Sequence, residues 1–135
     1  MIELELEIGS KKNKLPSGKI YMNDVLVHDG EYDRKIFNLQ ERLGDNKLSI
    51  SLENKTDADT VLKGNQILED VYVIVKGIKC AVTGDKIDQY DTFGEYITDK
   101  NENLKTYGYL SYNGVYTFNF QYPFFVFKKN KIFYQ

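Results

Sequence analysis

Tryptophan is absent from this 135-residue chain, while cysteine and histidine each occur once. A single cysteine, Cys80, excludes an intrachain disulfide and a cysteine-rich zinc site, which needs several thiolates. A single histidine, His28, excludes metal centres built on paired histidines. It also leaves no Ser–His–Asp or Cys–His arrangement, because Cys80 lies in an apolar run and His28 beside a turn. Cys80 reads as a small buried hydrophobe and His28 as a surface residue. The glycines are scattered, with neither a phosphate-cradling loop before a helix nor the acid order of an EF-hand. No stretch approaches the roughly 18 apolar residues of a membrane span. The start, "MIELELEIGS", alternates aliphatics with acids and lacks the positive and apolar regions of a signal peptide. The expectation is a product that stays in the cytosol, or is built into a particle there, with no membrane partner.

A charge excess of either sign is lacking too. Twenty acids against 18 bases leave a net charge of −2. Nucleic acid is therefore not expected as a partner, since phosphate binding needs a basic face. The short lysine clusters at 11–14 and 128–131 read as solvated turns or ends. What is plentiful is ring: 11 Tyr and 8 Phe, a strand-favouring composition. Hydrophobic residues at 41% and charged residues at 28% mark a globular chain rather than a disordered one. Its length suits one domain, 1–135, able to bury about two-thirds of the surface the unfolded chain exposes.

Period-two patterning recurs along the chain. Ile2, Leu4, Leu6 and Ile8 alternate with Glu3, Glu5 and Glu7, which predicts a half-buried strand. Asn23–Asp24 between two β-rich arms predicts a tight hairpin turn. A strand over 35–42, a turn at 44–46 and a strand carrying Leu48, Ile50 and Leu52 follow. "DVYVIVKGIKCAV" is apolar on both parities, as a strand covered on both faces would be. Residues 83–106 lose the pattern and read as one long irregular loop. Asn113–Gly114 predicts a further hairpin whose second arm sends Tyr116, Phe118 and Phe120 to the core. Pro123 makes the tail an edge strand or a segment leaving the sheet. Together these predict an all-β fold, a two-sheet antiparallel β-sandwich of jelly-roll type.

Two regions are candidate sites. In "NKTDADT", Asp57 and Asp59 stand two apart and Asp70 opens the next strand, so a sandwich edge can gather them. Carboxylates of this kind suit calcium, which takes six to eight oxygens; the same residues also make ordinary Asx turns. Both readings stay open on the residues alone. The second region is apolar and aromatic. Tyr90, Phe93 and Tyr96 in the loop, with Phe124, Phe125, Phe127, Phe133 and Tyr134 in the tail, are expected at a protein partner's interface, because an open apolar edge invites another chain. No carboxylate pair stands in an apolar setting that would raise one pKa, so the chain reads as a non-enzyme.

Residues 48–80 run "LSISLENK", an acidic loop with "DT", a Gly–Asn turn, then "ILEDVYVIVKGIKC". This order resembles the calcium-dependent, xylan-binding type of carbohydrate-binding module. It also resembles small proteins of tailed, T4-like bacteriophages, whose C-terminal pattern is matched here by Tyr107–Gly108, Asn113–Gly114, Phe118, Phe120 and Pro123. The phage resemblance covers nearly the whole chain. It implies a virion protein of tail, baseplate or fibre attachment, partnered by other virion proteins and assembled in the host cytoplasm. The module resemblance implies calcium-assisted recognition of a host glycan. Such modules set an aromatic platform beside the cation, and here no Trp exists while Tyr72 alternates with core valines.

Overall fold

The computed structural model describes residues 1–89, 92, 94–125 and 127. Among the described residues thirteen strands run in chain order: β1 Ile2–Gly9, β2 Ser17–Met22, β3 Val25–Glu31, β4 Ile36–Leu39, β5 Gly44–Leu52, β6 Val61–Lys63, β7 Gln66–Glu69, β8 Tyr72–Cys80, β9 Lys86–Asp88, β10 Gly94–Thr98, β11 Asn103–Thr106, β12 Tyr109–Leu110 and β13 Gly114–Tyr122. They form the expected antiparallel two-sheet sandwich. One sheet is ordered β12-β8-β1-β4, with β9 also on β8; the other is ordered β11-β10-β13-β5-β2-β3. The β6–β7 hairpin stands apart as a two-stranded ribbon.

The core lies where the inward parities of the two sheets meet. Ile2, Leu4 and Leu6 face Ile20, Met22, Leu48, Ile50, Leu52, Tyr116, Phe118 and Phe120 within one buried cluster. Each fully buried aliphatic or Phe side chain contributes about 1.5–3 kcal/mol relative to an exposed one. On β8 the apolar residues of both parities have a geometric cause. Glu5 pairs with Gly77 but Leu6 pairs with Val75, so Lys76 is an extra residue and the strand bulges there. The bulge reverses parity, sending Val73 and Val75, then Ile78 and Cys80, to the same core. Gly77 is required at that point: its φ is +156° and a Cβ would stand 2.6 Å from the Ile87 carbonyl oxygen.

Asn23 and Asp24 make the expected turn, both with positive φ, 50° and 65°. Other connections differ from expectation. Residues 83–106 are not a single irregular loop, since β9, β10 and β11 lie inside them. Their pattern is masked by the inward polar residue Thr98, which is buried although it interrupts the alternation begun by Tyr96. Asn113–Gly114 is not a hairpin turn, because β12 belongs to one sheet and β13 to the other. Likewise 40–43 carries the chain across from β4 to β5, and Gly44 opens β5 rather than turning it.

Strand direction gives the sandwich two distinct ends. At one, β8 and β13 finish together, with Cys80 Sγ 3.7 Å from Tyr122 Oη. At the other, β5 ends and β13 begins, with Leu52 paired to Gly114.

Candidate functional site

The loops at the second end are held by amides that imitate strand pairing. Asn54 Oδ1 accepts from the Ser17 N–H at 2.8 Å while its Nδ2 donates to the Leu15 carbonyl at 2.9 Å. Asn113 does the same to one residue: the Lys55 N–H donates to Oδ1, and Nδ2 donates to the Lys55 carbonyl, both at 2.8 Å. This is the reason Asn113–Gly114 does not turn into a hairpin. The side chain of Asn113 is engaged with the loop after β5, and the chain passes between sheets beneath it.

The three candidate carboxylates do not converge on one point: Asp57 and Asp70 line a common cleft, and Asp59 is outside it. Asp59, in a short 3-10 turn over Asp57–Asp59, is 1% exposed and lies between two ammonium groups. Lys11 Nζ is 2.8 Å from its Oδ1, and Lys14 Nζ bonds its Oδ2. The Thr56 N–H donates to Oδ2 at 2.8 Å. Burial raises the carboxyl's pKa, but the Lys11 and Lys14 hydrogen bonds and the Thr56 N–H outweigh it, leaving Asp59 well below the usual carboxylate range. Lys11 and Lys14 are therefore not the solvated turn expected; the turn exists, but both heads are tied inward. Asp70 is likewise committed, its Oδ1 receiving Lys55 Nζ at 2.8 Å, the Thr60 hydroxyl at 2.8 Å and the Val71 N–H at 2.9 Å. Asp57 is exposed. Among the described residues no group of three acidic, Cys or His side chains is placed to hold a metal. The calcium triad is thus corrected: lysine supplies the positive charge that a cation was expected to bring.

What the fold does gather is a cleft of about 460 Å³, lined by Lys55, Asp57, Asp70, Asp99, Tyr109 and Tyr112 together with Thr56, Thr60 and Ser111. The β6–β7 hairpin adds exposed Ile67, and the β10–β11 turn adds Lys100. Tyr109 stacks on Tyr72, centroids 5.7 Å apart and planes at 16°. Tyr72 in turn donates its hydroxyl to Glu7 Oε2 at 3.2 Å. Burial first, then the Asp70 and Glu7 charges, raise the Tyr109 phenol's pKa. Tyr112 is 61% exposed, yet its backbone N–H is fixed by the Tyr96 hydroxyl at 3.1 Å. Rings, carboxylates, hydroxyls and amides on one concave surface are the chemistry that holds a polyhydroxylated ligand.

Tyr109 and Tyr112 bring two exposed rings to this cleft, and sequence reading missed them. The available signal was "YGYLSYNG", three tyrosines among Gly, Ser and Asn, which a hairpin assignment absorbs. The expected interface residues divide differently. Tyr96 and Phe124, each 1% exposed, belong to this chain's own core. Phe127 is half-buried, packing edge-on against Phe118 at 5.8 Å. Phe125 alone of the described tail rings is exposed. Tyr90, Phe93, Phe133 and Tyr134 lie outside the described residues. His28 is not a free surface side chain; it stacks on Tyr32 at 5.2 Å and meets Phe37 edge-on at 5.0 Å. Cys80 is buried, its thiol drawn down to about 7 by hydrogen bonding at Thr83 and, less strongly, Tyr122.

No helix among the described residues is long and apolar enough to cross a membrane. In comparison with known proteins, the chain matches no family model, no curated protein and no solved structure.

Proposed function

We propose that this protein is a non-enzymatic carbohydrate-binding β-sandwich whose site is the cleft at the loop end. The observation that carries the reading is the convergence of two exposed rings, Tyr109 and Tyr112, with carboxylates, hydroxyls and lysine in that cleft. Sugar rings offer apolar C–H faces to aromatic side chains and hydroxyl edges to charged and polar groups, and both partners are present here. The site is assigned without calcium, because the Asp70 carboxylate in its wall is already paired with Lys55. A glycan array followed by calorimetry tests this. Binding that persists in EDTA and falls about tenfold or more in Tyr109→Ala supports it. Binding that vanishes on chelation removes the calcium-free assignment, and an array silent across all glycan classes removes the function.

A second reading, a structural component of a tailed-phage particle, is favoured by a separate observation. At the opposite end, Leu43, Val82 and Phe125 are exposed beside the start of β5 and the ends of β8 and β13. Apolar residues of this size suit burial against neighbouring virion proteins. The two readings are compatible in a particle that presents one end to a host glycan. Mass spectrometry of purified virions decides the second, and absence of the chain from particles ends it.

A further inference from the structure

We infer that the ligand of the cleft is a chain of several sugar units free of acidic groups, held across Tyr112 in two adjoining clefts. This rests on the carbohydrate-binding reading and adds to it the ligand's length and charge.

A second cleft, about 450 Å³, is walled by Thr98, Asp99, Lys100, Glu102, Leu104 and Tyr112. It shares Asp99, Lys100 and Tyr112 with the first. The β10–β11 turn and the Tyr112 ring are thus a common wall, not the end of either cleft. That wall is anchored. The Tyr96 hydroxyl holds the Tyr112 backbone, and the turn is closed by the Thr98 N–H to the Glu102 carbonyl at 2.9 Å and the Glu102 N–H to Thr98 Oγ1 at 3.2 Å. An exposed ring on anchored backbone between two polar concavities suits a ligand that continues from one to the other. Each unit added across it binds as an intramolecular event at high effective concentration.

The charges select against acidic chains. Lys55 is paired with Asp70, so its ammonium is neutralised within the site. Asp57, Asp99 and Glu102 then stand against Lys100 along the described walls. A net negative groove repels uronates and sulfated sugars, while its carboxylates accept hydrogen bonds from neutral hydroxyls.

Calorimetry on the full chain with neutral gluco-, manno-, galacto- and xylo-oligomers of one to six units, and with oligogalacturonate of the same length, tests the inference. In the neutral series that binds, the hexamer is expected to bind about tenfold or more tightly than the monomer, and oligogalacturonate to give no signal. Tyr112→Ala should bring the hexamer down to the monomer's affinity. Leu104→Ser, altering only the second cleft, should weaken the hexamer by a larger factor than the monomer, which keeps the test independent of how Tyr112→Ala folds. A monomer binding as tightly as the hexamer, or oligogalacturonate binding as well as a neutral oligomer, overturns this inference and leaves carbohydrate binding standing. Silence from every neutral and acidic oligomer overturns both.

Discussion

Replacing Asp59 by Asn separates charge from shape at the most enclosed carboxylate of the loop end. Asparagine keeps an acceptor for the Thr56 N–H but leaves Lys11 and Lys14, 22% and 24% exposed, facing each other without a counter-charge. Removing one partner of a buried ionic group costs about 3–5 kcal/mol when the rest stays buried. Here both lysine heads retain a path to water, so the lower end, about 3 kcal/mol, applies. With a urea m-value of about 1.5 kcal/mol/M, that moves the unfolding midpoint down by about 2 M. The pH dependence carries a sign. Asp59's folded pKa lies below its ordinary value of 3.8, so its contribution is present above that value and disappears as pH falls toward the folded one. Wild type should therefore lose stability on acidification while Asp59→Asn loses less, and the two curves should converge at low pH. Urea unfolding followed by circular dichroism, repeated from pH 7 down to about pH 2.5, measures both effects. A midpoint shift under about 0.5 M at pH 7, or curves that stay parallel on acidification, would refute the claim that two lysines hold an ionised Asp59.

Ending the chain at Gln121 should destabilise or unfold it rather than merely stop assembly. Phe124→Ala should cost about 3–5 kcal/mol by chemical denaturation, and Phe125→Ala less than about 0.5, because the first ring is 1% exposed and the second 65%. Asn113→Ala removes both bonds to the Lys55 backbone and should cost about 1–3 kcal/mol, with the hydrogen-exchange protection of the Lys55 amide lost first. Burial raises the phenols of Tyr32 and Tyr116 and pushes Tyr96 up to about 12. Their stabilising contribution holds below the ordinary value of 10 and fades as pH rises beyond it. Ultraviolet titration should accordingly show these three rings ionising only with alkaline unfolding, and smooth titration of all 11 tyrosines near 10 in folded protein would contradict their burial.

The strands of this protein and their faces are local properties, legible where alternation is clean. Ile2 to Ile8, the Asn23–Asp24 turn, and Tyr116, Phe118 and Phe120 all stand where the residues place them, because period-two burial and positive φ depend only on neighbours in the chain. The acidic loop was legible as a turn rich in carboxylates. Which charge answers those carboxylates was not, since Lys11 and Lys14 lie 45 or more residues away from Asp59, and only folding brings an ammonium rather than a cation to it. The β8 bulge, the passage of 110–114 from one sheet to the other and the strands within 83–106 follow from long-range pairing that no local pattern encodes. The cleft belongs to this second class. Tyr109, Tyr112, Asp70 and Lys55 come from separate segments, and they share a surface because Asn113 binds the Lys55 backbone across 58 residues of sequence.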